Sequence, residues 1–168
     1  MPGACEFAFA SRGDPVAGRL WLPDGAGPHA LALVTGGIGD TTPTAPLCET
    51  LAANGVAAAC FDLPLQGARA SRKLSDRLVR AARSEAPTRT EARLVDAFRK
   101  QVAADLSAAR AVLVARSDVD GGRLACLALE PGAEAAAAWA GEIGVTVVRC
   151  TASEAGGAIA ELGAALAR

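Results

Sequence analysis

The sequence predicts an α/β fold with a mostly parallel sheet of about six strands and helices on both faces. From about residue 30, short apolar runs of strand length alternate with segments of helical periodicity, which is the element order of a parallel sheet. The apolar runs are continuously hydrophobic, as expected of strands that are covered on both faces. No repeat or low-complexity linker divides the chain, so residues 1–168 are expected to form one domain.

Composition sets limits on partners and location. The net charge of −1 and the absence of a long basic run give no electrostatic case for binding nucleic acid or a membrane. No apolar span is long enough to cross a bilayer, and no signal peptide is visible at the N-terminus. The five cysteines have no metal-type spacing. We therefore expect a cytoplasmic protein with reduced thiols, no metal and no other cofactor.

The first half of the chain predicts a hairpin and the first parallel strands. Phe7 and Phe9 alternate with alanines, residues 11–15 form a turn, and residues 16–22 alternate again. A strand over residues 30–34 and another over 56–61 flank a glycine-rich loop and a helix. Candidate caps and first-turn prolines for this helix are Thr42, Thr44, Pro43 and Pro46, with Asn54-Gly55 at its end.

The second half predicts one long helix and the remaining strands. Residues 64–87 are irregular and arginine-rich, so only loose or short helical structure is expected there. A capping box at Thr88–Glu91 opens a long helix. Its buried stripe is Leu94, Phe98, Val102, Leu106, Ala109 and Leu113. Residues 118–122 end this helix, and after them we expect a strand at 123–129, a helix to about Gly141, a strand at 145–148 and a helix at 158–167.

The sharp turn after the strand at 123–129 is the segment most suggestive of chemistry. Ala128-Leu129-Glu130-Pro131-Gly132 has the layout of a nucleophile elbow, in which G-x-S-x-G holds a reactive side chain above the sheet between a strand and a helix. The layout is present here without the serine.

The ordered set of segments resembles the α/β-hydrolase superfamily, in particular its dienelactone-hydrolase and small-esterase branch. The resemblance spans residues 16 to about 145. Its segments are Leu22–Pro28, Val34–Gly37, Leu51–Val56, Phe61–Pro64 with the turn Leu65-Gln66-Gly67, Val102–Leu106 and Ala115–Arg123. This resemblance implies a reduced α/β-hydrolase fold with strand order 1-2-4-3-5-6, in which the family's last two strands are absent.

The same resemblance implies that the ordinary catalytic machinery is missing. The nucleophile position falls on Glu130, and the residue that should give the second oxyanion N–H is Pro131, which has none. The triad histidine should follow the nucleophile, yet the only histidine is His29, before the third strand. No residue is therefore assigned a catalytic role.

Two candidates for a site leave alternatives open. Glu130 is either a general base or nucleophile, or a carboxylate favoured by the helix dipole. Gly36 and Gly37 either expose N–H groups to an anion or form a tight turn. We expect negative φ at Glu130, with its carboxylate near the start of the 131–141 helix, solvated or paired with an arginine.

Other features are given less weight. The loop at 35–39, with Asp62 after the next strand, hints at a dinucleotide site, but the short-chain dehydrogenase spacing is not met and tyrosine is absent. Cys60 and Cys126 are expected to be small buried apolar residues. The arginines between residues 69 and 93 form either a solvated cap or a surface for an anionic partner.

The favoured function is a catalytically degenerate binding or interaction module that takes a small-molecule ligand at Gly36, Gly37 and Glu130. One alternative is a hydrolase of small esters or lactones with a non-standard or partner-completed site, and another is a nucleotide-binding domain. We also expect a homodimer through the last strand or the helices beside it, because a short apolar edge strand invites pairing.

Overall fold

The computed structural model describes residues 3–38, 44–130 and 132–167. Its six-stranded sheet has the order β1-β2-β4-β3-β5-β6, in which β1 and β2 are antiparallel and β4, β3, β5 and β6 run parallel. The strands are β1 Ala4–Ser11, β2 Asp14–Trp21, β3 His29–Thr35, β4 Ala57–Phe61, β5 Val119–Leu129 and β6 Thr146–Cys150. The helices are α1 Ala45–Ala53, α2 Arg72–Arg83, α3 Arg89–Val114, α4 Ala133–Ile143 and α5 Ala155–Leu166. The predicted fold class and strand order are confirmed.

Two strands in the middle of the sheet are buried on both faces. In β3, Leu31 and Leu33 belong to one hydrophobic cluster, and Ala32 and Val34 belong to the cluster on the opposite face. Strand β5 alternates in the same way between the two clusters. Because side chains alternate across a sheet, a continuously apolar strand supplies both cores.

Helices from different parts of the chain cover the two faces. Helices α3 and α4 pack on one face, where Leu106, Leu113 and Trp139 are almost completely buried. Helices α1 and α5 pack on the other face through Leu51 and Leu162. Burial of this apolar area is the main favourable term for folding. The sheet is therefore the middle layer of three.

Local signals set several boundaries. Arg12 and Gly13 both have positive φ, 49° and 90°, as a two-residue hairpin turn requires. The capping box is present as predicted: Thr88 Oγ1 accepts from Glu91 N at 3.2 Å, and Glu91 Oε2 accepts from Thr88 N at 2.8 Å. Thr44 precedes α1 without a side-chain cap hydrogen bond. Thr42 and Pro43 lie outside the described residues.

The arginine-rich segment is more ordered than predicted. Helix α2 runs for three turns over Arg72–Arg83 and packs on α3 through Ser75, Leu78 and Ala81. The helix has a narrow apolar stripe at spacings of three and four. Its five basic residues make this stripe hard to recognise in the sequence. The prediction of only loose or short helical structure at 64–87 therefore understated this regular three-turn helix.

Two further expectations need correction. Strand β5 begins at Val119, because residues that were expected to be a loop continue the strand through a register shift opposite Ala30/Leu31. In α3 the stripe from Val102 to Leu113 is buried, but Leu94 and Phe98 are only half-buried. In the described part of the chain, no helix is both long and apolar enough to cross a membrane.

Candidate functional site

The turn between β5 and α4 stands at the carboxyl end of the parallel strands. Strand β5 ends at Leu129, and the backbone N–H of Glu130 donates to the carbonyl of Cys150 at 2.9 Å, at the end of β6. Gly132 has φ of +110°, and a Cβ on it would lie 2.5 Å from Cγ1 of Ile38. The elbow therefore fits closely against the loop that follows β3. Pro131 lies outside the described residues.

The carboxylate of Glu130 is engaged by Arg149 of β6. Arg149 donates through Nε to Oε1 of Glu130 at 2.9 Å and also through Nη2 to the same oxygen. Arg149 also reaches Glu134, in the first turn of α4, at 3.3 Å. The hydrogen bond to Glu130 raises the pKa of Arg149 above its usual value. Glu130 is thus paired with an arginine beside the start of the helix, as predicted.

The backbone at Glu130 also agrees with the expectation of negative φ. Among residues 3–38, 44–130 and 132–167, the non-glycine residues with positive φ are Arg12 and Leu65. The strained conformation that aims a nucleophile above the sheet is not recorded at Glu130.

The Gly36-Gly37 loop makes a contact that the sequence did not indicate. The side-chain amide of Gln66 donates to the carbonyls of Gly36 and Gly37 at 2.8 and 2.7 Å. Its oxygen accepts from the N–H of Leu63 at 3.2 Å. Gln66 therefore ties the loop after β3 to the loop after β4. Its only signal in the sequence was its place in the turn Leu65-Gln66-Gly67.

A cleft of about 340 Å³ joins the elbow to helices α2 and α3. We call it the elbow cleft. It is lined by Ile38, Val79, Ala82, Arg83, Arg99, Glu130, Gly132 and Glu134. A larger cleft of about 790 Å³ adjoins it, because both are lined by Ile38, Val79 and Arg83. The elbow cleft thus brings Glu130 together with Ile38, which follows Gly37 in the chain. It also contains Arg83, from the segment predicted to be a solvated cap or an anion-binding surface, and Arg99, for which no role was predicted.

Two other candidates lie apart from this cleft or are already engaged. His29 begins β3, opposite Val119, whereas the other end of β3 lies beside Ala128 near the elbow. Asp62 accepts from the N–H of Ala68 at 3.0 Å, so it stabilises its own loop. Among the described residues, no group of three or more His, Cys, Asp or Glu side chains could hold a metal ion.

Comparison with solved structures identifies this architecture. A hypothetical protein from Pseudomonas aeruginosa matches 88% of the chain with a TM-score of 0.64 and 18% identity. A dienelactone hydrolase from Anabaena variabilis matches 87% of the chain with a TM-score of 0.58 and 19% identity. This chain therefore has the α/β-hydrolase fold. The esterase domain of a Rhodothermus marinus protein matches 88% with a TM-score of 0.56 and 22% identity.

Each of these matches covers only part of the known protein. The chain spans 42%, 60% and 49% of the lengths of these three structures. No family model matches the sequence, and no curated protein matches it. These similarities therefore establish the fold alone.

In active enzymes of the α/β-hydrolase fold, the elbow side chain and an N–H of the loop after the third strand face the same reacting group. In this chain the corresponding elements meet at Ile38 and Gly132. The fold thus keeps a cleft at the usual place for ligands at the carboxyl ends of parallel strands. Glu130, at the turn between β5 and α4, lines this cleft.

A buried polar cluster supports the neighbouring loops. Asp105 of α3 is fully buried and accepts from Ser11 Oγ at 2.5 Å, Arg69 Nη1 at 2.5 Å and Gln101 Nε2 at 2.8 Å. Arg69 also donates to the carbonyl of Asp62 at 3.1 Å. The cluster links the hairpin turn, the loop after β4 and α3. Sequence periodicity did not indicate it, because its partners are up to 94 residues apart.

Proposed function

We propose that this chain is a catalytically degenerate protein of the α/β-hydrolase fold that binds a small anionic ligand in the elbow cleft without hydrolysing it. The observation that carries the proposal is the ion pair of Glu130 and Arg149 at the elbow. A carboxylate whose oxygen accepts hydrogen bonds from a guanidinium has that oxygen occupied and is less available as a nucleophile. In addition, no histidine lies among residues 130–168 to activate or regenerate it.

The lining of the elbow cleft supports an anion with an apolar body. Arg83 and Arg99 reach the cleft, and neither forms an ion pair with another described residue within 4.0 Å. Ile38, Val79 and Ala82 supply apolar surface beside them. Guanidinium groups bind carboxylate and phosphate oxygens in bidentate geometry. A small aromatic carboxylate or phosphate ester combines these two requirements.

Hydrolysis is tested with a short-chain nitrophenyl ester and a serine-directed phosphonate probe. We expect no turnover above background and no labelled protein. The reason is that the elbow offers no serine, and loss of one oxyanion donor alone typically costs about 10²–10³ in rate. Turnover that disappears in Glu130→Gln would overturn the proposal and give Glu130 a catalytic role.

Binding is tested by calorimetry with benzoate and with benzamide, its neutral counterpart of nearly the same shape. Benzoate should bind and benzamide should not. Arg83→Gln and Arg99→Gln should each weaken benzoate roughly ten-fold, the loss of one charge-assisted contact. Arg72→Gln, exposed on α2 and outside the cleft, is the matched control and should have no effect. Equal affinities for the two compounds would contradict an anion site.

Hydrolysis of small esters or lactones is the second candidate function. The names of two of the similar structures, a dienelactone hydrolase and an esterase domain, favour it. It requires that Glu130 act directly or that a partner supply the missing groups. Activity that appears only at high protein concentration would support completion by a second copy.

We also propose that the chain forms a homodimer through β6 or the helices beside it. In the described part of the chain, β6 pairs with β5 on one side and with no strand on the other. An open strand edge favours pairing with another chain. Thr146→Lys, which places a charge on the exposed first residue of β6, should shift light scattering towards the monomer. A wild-type monomer at high micromolar concentration would contradict the proposal.

A further inference from the structure

The larger cleft beside the elbow cleft is a candidate for a second binding site, and we call it the α2 cleft. It has a volume of about 790 Å³. Its described lining is Ile38, Ser75, Asp76, Val79, Arg80, Arg83 and Ser84. Apart from Ile38, these residues belong to α2 or directly follow it, in adjacent pairs that repeat every four residues. This spacing places them along one side of the helix, so a single helix supplies most of the wall.

Two arginines of this cleft carry guanidinium groups without a carboxylate partner among the described residues. Arg80 and Arg83 are exposed, and neither forms an ion pair within 4.0 Å with a residue that the structure describes. Because they are three residues apart in α2, their side chains are neighbours on the helix surface. Asp76 is the one carboxylate in the described lining. Two neighbouring guanidinium groups can together hold the oxygens of a phosphate or a carboxylate.

The helix dipole favours arginines in the last turn of α2 without any ligand, but it does not explain Ser75. Ser75 is only 6% exposed and yet lines the cleft. Its hydroxyl has no hydrogen-bond partner among the described residues. Thr50 of α1 shows the usual alternative, because its hydroxyl donates back to the carbonyl of Pro46 at 2.8 Å. Since a buried hydroxyl generally has a partner, that of Ser75 is available to a group bound in the cleft.

The surroundings of the α2 cleft are positively charged, although the chain as a whole is not. Residues 72–100 contain nine arginines and lysines and four aspartates and glutamates, whereas the rest of the chain contains eight and fourteen. All nine of these cationic side chains are exposed. A local surplus of cations raises the concentration of anions at a surface. The α2 cleft therefore favours an anionic ligand over a neutral one.

The two clefts combine separate cations with a shared apolar surface. Arg80 lines only the α2 cleft, and Arg99 lines only the elbow cleft. Ile38 and Val79 line both clefts and supply apolar surface to each, and Arg83 also lines both. A ligand that occupies both clefts therefore contacts a different arginine in each and apolar side chains where the clefts join.

We propose that the ligand of this protein has two anionic groups joined by an apolar body, with a phosphate group in the α2 cleft and a carboxylate in the elbow cleft. This inference rests on the proposed function, because it adds a second anion site to the one in the elbow cleft. A phosphate monoester has three acceptor oxygens and a charge of about −1.5 to −2 near pH 7. It therefore matches Arg80, Arg83 and the hydroxyl of Ser75 better than a singly charged carboxylate does.

The first experiment measures binding to the full chain by calorimetry with 6-phosphonohexanoate, which carries a phosphonate and a carboxylate at the two ends of an alkyl chain. Hexanoate and hexylphosphonate, which each keep one of the two anionic groups, are the matched controls. The doubly anionic compound should bind roughly ten-fold tighter than either control, the gain expected of one further charge-assisted contact. Heptanedioate, in which a carboxylate replaces the phosphonate, should bind more weakly than 6-phosphonohexanoate.

The second experiment locates the phosphonate with variants. Arg80→Gln and Ser75→Ala should each lower the affinity for 6-phosphonohexanoate towards that for hexanoate. Hexanoate binding should be unchanged, which also shows that these variants fold. Asp76→Asn should raise the affinity for 6-phosphonohexanoate several-fold, because it removes a like charge from the cleft. Arg77→Gln removes an exposed cation of α2 outside both clefts and should change none of these affinities.

The outcomes separate this inference from the proposed function. If benzoate binds but 6-phosphonohexanoate has no advantage over hexanoate, or if Arg80→Gln has no effect, the second anion site is wrong and the proposed function stands. Equal affinities for 6-phosphonohexanoate and heptanedioate would overturn the assignment of phosphate to the α2 cleft. If benzoate, hexanoate and 6-phosphonohexanoate all fail to bind, both proposals are wrong.

Discussion

Two ion pairs in this molecule use the same chemistry in different surroundings. Asp105 and Glu130 are both carboxylates that accept hydrogen bonds from an arginine. The side chains of Asp105 and Arg69 are 0% and 22% exposed, whereas those of Glu130 and Arg149 are 29% and 45% exposed. Since water screens an exposed pair and cannot reach a buried one, the two pairs should contribute very differently to stability.

The buried pair links elements of the fold, whereas the exposed pair borders the candidate functional site. The cluster around Asp105 joins three elements and leaves no room for a ligand, because the carboxylate is buried and its oxygens accept from three neighbours. The pair at Glu130 borders the elbow cleft and stays accessible. The ion pair of Glu130 can therefore open at low cost, whereas that of Asp105 cannot.

The largest expected effect is that of Asp105→Ala. Removing the carboxylate leaves Arg69, Gln101 and Ser11 without their common acceptor, and breaking a buried pair in this way costs roughly 3–5 kcal/mol. Urea unfolding measures the change. Asp105→Leu combined with Arg69→Met removes both charges and should be clearly more stable than Asp105→Ala. A loss below about 1 kcal/mol would show that the cluster does not support the loops.

A smaller effect is expected of Gly132→Ala at the elbow. The new Cβ would lie 2.5 Å from Ile38, and the φ of +110° is unfavourable for alanine. Together these should cost on the order of 1–3 kcal/mol in the free energy of unfolding. Gly141→Ala is the control on the same helix, because its Cβ meets nothing within 4 Å, and it should be neutral or stabilising by roughly 0.5–1 kcal/mol. Adding Ile38→Ala to Gly132→Ala should recover only the steric part.

The smallest effect is expected of Glu130→Gln. Exposed ion pairs are typically worth about 0–1 kcal/mol, and salt weakens them further. The variant should unfold at nearly the same urea concentration as the wild type, with the small difference reduced at 1 M salt, an ionic strength at which screening extends over roughly 3 Å. A loss comparable to that of Asp105→Ala would mean that the elbow pair is structural and would remove the contrast with Asp105.

The sequence by itself determined the layers of this protein. A continuous apolar run indicates a strand covered on both faces, and a period of three to four shows which side of a helix faces a core. These signals were clear for β3, β5 and the second half of α3. The capping box at Thr88 is a signal of four consecutive residues, so it could be found without knowing the fold. The strand order came from the resemblance, and the structure agrees with it.

Tertiary structure alone decided which side chains meet. Arg149 reaches Glu130 across 19 residues, Gln66 reaches Gly36 across 30, and Ser11 reaches Asp105 across 94. Periodicity describes the average surroundings of a position, whereas an ion pair or a hydrogen bond between side chains depends on two particular positions approaching within a few ångströms. That is why the sequence predicted the location of Glu130 and only the general kind of partner, while the fold supplied Arg149.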